Sequence, residues 1–181
     1  MQLLTRTFVA LSIAASTFGA VLKRDVPTIL ADISKISSQV TTLDNAINAF
    51  PDSGGSLVNA LAIHTDATNL VSSVNTATSD TTANGAFNEA DGQTILNAVQ
   101  AIEPTILDAL TAIAAKQPAF AALPIGGIPA LVLQDLKNLD AGTTAFSNAL
   151  IANAPADLVP QATDIQTTIG NAFDTAIAAY S

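Results

Sequence analysis

The sequence predicts an all-α fold, an antiparallel bundle of about five amphipathic helices with the third kinked at Pro104. Three observations carry this. Apolar residues recur at steps of three and four through most of the chain after residue 25, the mark of one buried helical face. No stretch alternates apolar and polar residues long enough to read as a sheet strand. Proline and glycine collect between the periodic runs, where they end one helix and open the next.

The first run is Val26, Ile29, Ile33, Ile36, Val40, Leu43, Ile47 and Phe50. Pro27 fits a first helical turn, and Pro51 biases Phe50 out of the helix. Ser53, Gly54 and Gly55 form a loop, and Ser56 is a good N-cap for the second run: Leu57, Ala60, Ile63, Ala67, Leu70, Val74 and Ala77. The polar stretch Thr78 to Asn88 is expected to separate it from a third helix carrying Ile95, Val99, Ile102, Ile106, Ala109 and Ile113. Pro104 removes the hydrogen bond to the Gln100 carbonyl there, hence the expected kink. A fourth helix follows Pro129 with Val132, Leu136, Leu139, Thr143, Phe146 and Leu150, and stops before Pro155. The fifth carries Leu158, Ala162, Ile165, Ile169, Phe173 and Ala176, with Pro160 in its first turn. The rows are narrow enough for an intermolecular coiled coil, but five such segments with short connections pack more economically on each other.

The N-terminus reads as a leader. One Arg, an apolar run from Thr7 to Phe18 and the small residues Gly19 and Ala20 make a secretory signal peptide over residues 1–20. That run is shorter than the ~20 apolar residues a membrane span needs, so no integral span is expected there. Lys23 and Arg24 then form a dibasic pair in segment 21–24, read either as a processing site or as two solvated charges. The helical domain is residues 25–181. It keeps three lysines against fifteen acids, a net of −12 where the whole chain has −9. The product is expected to be secreted, extracellular or wall-associated, and with no cysteine its core must suffice for stability.

Composition excludes several functions. No basic patch can be assembled, so nucleic acid is not an expected partner. A His-dependent serine hydrolase would have to use His64, the one histidine, and no G-x-S-x-G turn is present. His64 beside Ile63 reads instead as a packed or rim residue. Glu89 and Asp91 stand near a helix start, where acids complement the macrodipole, rather than in a metal cluster. No P-loop or dinucleotide fingerprint occurs, and no cofactor is expected. The protein is expected not to be an enzyme. The apolar connection from Phe120 to Pro129 is expected to fold over one end of the bundle; the alternative is an exposed lip, with Ile125 and Ile128 as the residues to test.

Certain stretches resemble one fungal family: Lys23-Arg24-Asp25-Val26 with Ile33, Ile36, Val40 and Leu43; then Leu61 to His64; then Lys116 to Phe120; then Gln134 to Leu139; then Ala172-Phe173 and Ala176-Ile177 up to Tyr180. The chain is similar to the hydrophobic surface-binding protein A family, also described as cell-wall galactomannoproteins, over nearly all of residues 24–180. The resemblance implies a secreted or wall-associated helical protein that adsorbs to hydrophobic surfaces and recruits polyester hydrolases, or that binds fatty acids or other lipids within a five-helix bundle. A structural wall mannoprotein or antigen is the third role. For lipid carriage, the candidate cavity residues are Ile33, Val40, Leu70, Val99, Ile106, Leu136, Thr143, Phe146 and Ile169, each otherwise an ordinary core residue. Thr143 either meets a ligand or bonds back to the Leu139 carbonyl. A carboxylate head would be met by hydroxyls, a helix N-terminus or Lys116.

Overall fold

Six helices and no strand make up residues 25–181, the part of the chain that the computed structural model describes. The expected leader and the Lys23-Arg24 pair lie outside the described residues. The helices are α1 (Val26–Ala49), α2 (Leu57–Asn84), α3 (Glu89–Ala115), the short α4 (Gln117–Ala121), α5 (Ile128–Asn153) and α6 (Val159–Ala179). Three of them start on side-chain caps that satisfy otherwise orphaned amides. Asp25 Oδ1 accepts from Thr28 N at 3.3 Å, Ser56 Oγ from Asn59 N at 3.1 Å, and Asn88 Oδ1 from Asp91 N at 2.9 Å. Pro27, Pro118, Pro129 and Pro160 stand in first turns, where a missing N–H costs nothing. Pro104 lies inside α3, which runs on through it.

Two boundaries differ from the sequence reading. The segment Thr78 to Asn84, expected to be a polar separator, is the last two turns of α2. Hydroxyls there are absorbed by back-bonding to carbonyls one turn earlier, Thr78 to Val74 at 2.8 Å and Thr82 to Thr78 at 2.8 Å. Asp80, Thr81 and Asn84 are buried rather than solvated, and the Thr81 carbonyl accepts from Asn153 Nδ2 of α5 at 3.1 Å. The other difference is α4, about a turn and a half over Gln117–Ala121, where the third helix is expected to end; it overlaps the start of the apolar connection at Phe120 and Ala121.

The five long helices close into a ring in the order α1, α2, α5, α6, α3 and back to α1. Helices successive in sequence run antiparallel, as expected of short connections. Around the ring, however, α2 and α5 are parallel: His64 meets Asp135, the Gly142 backbone lies against Val74, and Thr81 meets Asn153. The α6 helix is likewise parallel to α3, with Leu158 near Gly92 at one end and the Tyr180 hydroxyl donating to the Ile113 carbonyl at 2.8 Å at the other. We call the end holding the start of α1 the upper end, and the end holding the α1–α2 turn the lower end.

A stack of aromatic rings closes the lower end. Phe50 and Phe120 lie 4.4 Å apart at 21° and are essentially inaccessible. The α1–α2 turn passes so close to Phe50 that a Cβ on Gly55 would sit 2.5 Å from its ring. Phe120, Leu123 and Ile128 are buried, so the apolar connection does cap the core, but Ile125 between them is 51% exposed. By length and hydropathy alone α3 is apolar enough to cross a membrane. Its Ile95, Leu96, Ile102, Leu110 and Ile113 are nevertheless buried in the ring, while Glu103 and Asp108 interrupt it.

The two isoleucines of the capping loop should therefore behave differently. Ile128→Ser is predicted to cost about 3 kcal/mol or more, since it removes a buried side chain and buries a hydroxyl. Ile125→Ser should stay within about 0.5 kcal/mol. Denaturant melts of the two variants check this, and equal losses would show that the loop packs as one unit.

Candidate functional site

The inner faces of the ring do not meet on its axis. With neighbouring helices about 9 Å apart, five of them in a ring stand roughly 8 Å from the centre. Half a helix spacing is about what a Leu or Ile covers, so a space of roughly 3 Å radius remains. In this chain the space is an apolar central cavity of about 90 Å³, a narrow channel that an acyl chain would have to widen by moving its walls. Eight of the nine candidate residues line it: Ile33 and Val40 from α1, Leu70 from α2, Val99 and Ile106 from α3, Thr143 and Phe146 from α5, and Ile169 from α6. All five long helices contribute. Leu136 does not reach the central cavity; it lines a smaller one of about 50 Å³ toward the lower end, because it sits one turn below Leu139 on α5.

Sequence reasoning missed Ser147, Leu110 and Val74 as cavity residues. Ser147 stands one turn after Thr143 on the apolar face of α5, and that spacing is the signal that would have found it. Thr143 and Ser147 are the polar side chains of the central wall among the described residues; the remainder is aliphatic, Phe146 and Phe173. Neither hydroxyl makes a hydrogen bond among the described residues, so the expected bond from Thr143 back to Leu139 is not formed. Lys116, expected as a partner for an acidic head group, is instead held by Asp52 at 2.6 Å at the lower end, outside the cavity wall.

A third apolar cavity of about 40 Å³ lies toward the upper end between α3, α5 and α6. It shares Val99, Ser147 and Leu150 with the central one. Gly92 lets the α5–α6 turn close over it: a Cβ there would lie 2.7 Å from Pro155 and 3.0 Å from Leu158.

Most charge stays on the outside of the ring, but Asp80 is buried and Asp135 lines the lower cavity. His64 takes the rim position expected of it and bonds through Nδ1 to both Asp135 oxygens, at 3.0 and 2.8 Å. Asp135 is only 12% exposed, and burial raises its carboxyl above the usual range although the His64 contact opposes this. Burial first, and then a neighbouring carboxylate, raise Asp44 beside Asp108 and Asp140 beside Asp174. Glu89 at the start of α3 is raised in the same way beside Asp157. No group of three or more His, Cys, Asp or Glu suited to a metal occurs among the described residues.

Fold and site together define a helical-bundle protein built around an internal apolar cavity. The chain belongs to the hydrophobic surface binding protein A family, whose sequence model matches residues 26–152. Among solved structures, the chain is similar to AFMP4P, crystallised in complex with palmitic acid. The two are 35% identical, with a TM-score of 0.80 over 87% of this chain and 100% of that one. Ligand binding domain 1 of the Penicillium marneffei MP1 protein, complexed with arachidonic acids, matches at TM-score 0.77 and 17% identity over 88% of this chain and 99% of that one. Domain 2 of the same protein, with multiple arachidonic acids, matches at 0.76 and 18% over 88% and 98%. At those identities the two MP1 domains speak for the fold alone. No curated protein matched the chain.

The raised carboxyls set a pH dependence. An acid whose folded-state pKa lies above its unfolded value favours the fold when protonated. That contribution is full below pH ~4 and is lost as pH climbs through the raised values. The melting temperature is therefore predicted to rise on acidification from pH 7 to pH 5. Asp44→Asn should stabilise at pH 7 by no more than ~0.5 kcal/mol, given its exposure, and have no such effect at pH 4. A melting temperature falling steadily from pH 7 to pH 5 would contradict the assignment.

Proposed function

We propose that this protein is a non-enzymatic carrier that holds a fatty acid inside the helical ring. The observation that carries the reading is the central cavity itself: an aliphatic space on the axis of the bundle, broken only by two hydroxyls without hydrogen-bond partners among the described residues. An acyl chain matches the aliphatic wall, and a carboxylate head matches Thr143 and Ser147, which donate to it in place of water. The palmitic acid bound by AFMP4P supports the choice of ligand class. At ~0.8 kcal/mol per methylene, a chain of fourteen methylenes gains about 11 kcal/mol on burial. Association costs at least about 4 kcal/mol of that. The remainder corresponds to binding near the micromolar range. The leader-like N-terminus supports secretion, and the nine candidate residues are assigned here to the ligand path, with Leu136 at its lower end.

The absence of tryptophan from the chain allows a direct test. Ile169→Trp fills the cavity and reports on it. We predict a helical protein with blue-shifted emission that no longer retains palmitate in native mass spectrometry, whereas the delipidated wild type takes it up. Blue-shifted emission with undiminished palmitate binding would place the ligand elsewhere.

A second reading, adsorption to hydrophobic solids, is favoured by a different surface. Val58 is 76% exposed and Leu61 43% on the first turns of α2, and Ile125 is exposed in the α4–α5 connection at the same lower end. The family description supports such a role, and recruitment of a secreted polyester hydrolase belongs to this reading. The triple change Val58→Ser, Leu61→Ser and Ile125→Ser is predicted to reduce depletion onto polyester particles several-fold without altering palmitate uptake. Unchanged depletion would exclude this patch as the adsorbing surface.

A further inference from the structure

We infer that the lower cavity is the subsite for the methyl end of the ligand and that the throat at Ala109 sets the length of acyl chain this protein accepts. The inference rests on the fatty-acid reading above and deepens it.

The three cavities lie in a row along the bundle. The central and lower ones share Leu43, Ala109, Leu110 and Leu139, so their walls are common at that level. On α5 the central cavity extends from Leu150 down to Leu139. That is eleven residues, roughly 16 Å at 1.5 Å per residue. A head group at Ser147 leaves about 12 Å below it before Leu139 is reached. One acyl layer of a bilayer spans about 15 Å, half of a ~30 Å hydrocarbon core. A chain of that length anchored at Ser147 therefore overruns the central cavity. The lower cavity, which continues past Leu136 to Val132, takes the excess.

The row is also polarised. Ser147 stands at the junction of the central and upper cavities, with Thr143 one turn below it in the central one, while the lower cavity has Asp135 in its wall. A carboxylate head is repelled from that end, and a methyl end is not. At this shared level Leu43, Leu110 and Leu139 line the wall with large side chains, whereas Ala109 of α3 contributes only a methyl.

The test is an affinity series of saturated monocarboxylic acids from ten to twenty carbons on the delipidated secreted protein. For the wild type, affinity should rise about four-fold per methylene until the tail meets the floor of the lower cavity, and then level. Ala109→Leu should bring the plateau to shorter acids, lowering affinity for the longest by about ten-fold or more while leaving decanoate unchanged. Val132→Leu, which fills the floor rather than the throat, should move the plateau by a smaller step and guards against a misfolded throat variant. Ala162→Leu fills the upper cavity alone and should leave the series unchanged. If Ala162→Leu shortens the preferred chain and Ala109→Leu and Val132→Leu do not, the tail runs upward and the inference is overturned. If the wild type binds no acid of any length, the carrier reading fails, and this inference with it.

Discussion

Everything in this structure depends on a mismatch between ring size and side-chain size. Two, three or four packed helices can fill the space between them with leucine and isoleucine, because no point lies much farther than half a helix spacing from an axis. Five in a closed ring cannot. Their common centre is out of reach for medium aliphatic side chains, and this chain has few larger ones to send there. It has seven Phe, one Tyr and no Trp in total. Phe50 and Phe120 are committed to the lower end, and Tyr180 is tied to the Ile113 carbonyl. Among the described residues, Phe146 and Phe173 are the aromatic residues that line the central space. The scarcity of aromatic residues is thus a structural cause: it keeps the axis empty.

An axial space is useful only if the ends are shut, and the two ends are shut by different means. At the lower end the closure is apolar, with stacked rings beneath a glycine turn and the buried side chains of Phe120, Leu123 and Ile128. At the upper end it is polar as well. Asn153 donates to Thr81 and Ala149, and the Phe87 amide donates to the Asn153 carbonyl at 2.8 Å, which ties the α2–α3 turn to the end of α5. Satisfying buried polar groups in this way fixes the geometry of the turn without filling the space beside it. The core is then one continuous apolar cluster running from end to end, which explains how a chain with no cysteine holds its fold.

The helices were legible in the sequence because a step of three and four is a local signal. Ile29, Ile33, Ile36, Val40, Leu43 and Ile47 announce one face whatever they pack against, and all six are buried. The cavity lining was legible for the same reason, since any residue of an inner face in a five-helix ring looks onto the axis. What the period cannot give is height along the axis. Leu136 and Leu139 belong to one row, yet only Leu139 reaches the central cavity. Nor can it give partners across the ring: His64 and Asp135 are 71 positions apart, and Lys116 and Asp52 are 64. Thr78 to Asn84 misled for a further reason. Hydroxyls that look loop-like by propensity are neutral in a helix once they bond back to a carbonyl one turn earlier.

The two surfaces with apolar character are physically separate. The inner surface is walled by five helices. The outer one is three side chains, Val58, Leu61 and Ile125, set in a surface carrying a large acidic excess. That excess disfavours self-association through the exposed residues, because two like-charged copies repel before their small apolar patches can meet. An uncharged apolar solid offers no such opposition. The same distribution of charge therefore leaves the central cavity lined without charged residues, opposes association of like-charged copies, and leaves contact with a neutral hydrophobic surface open.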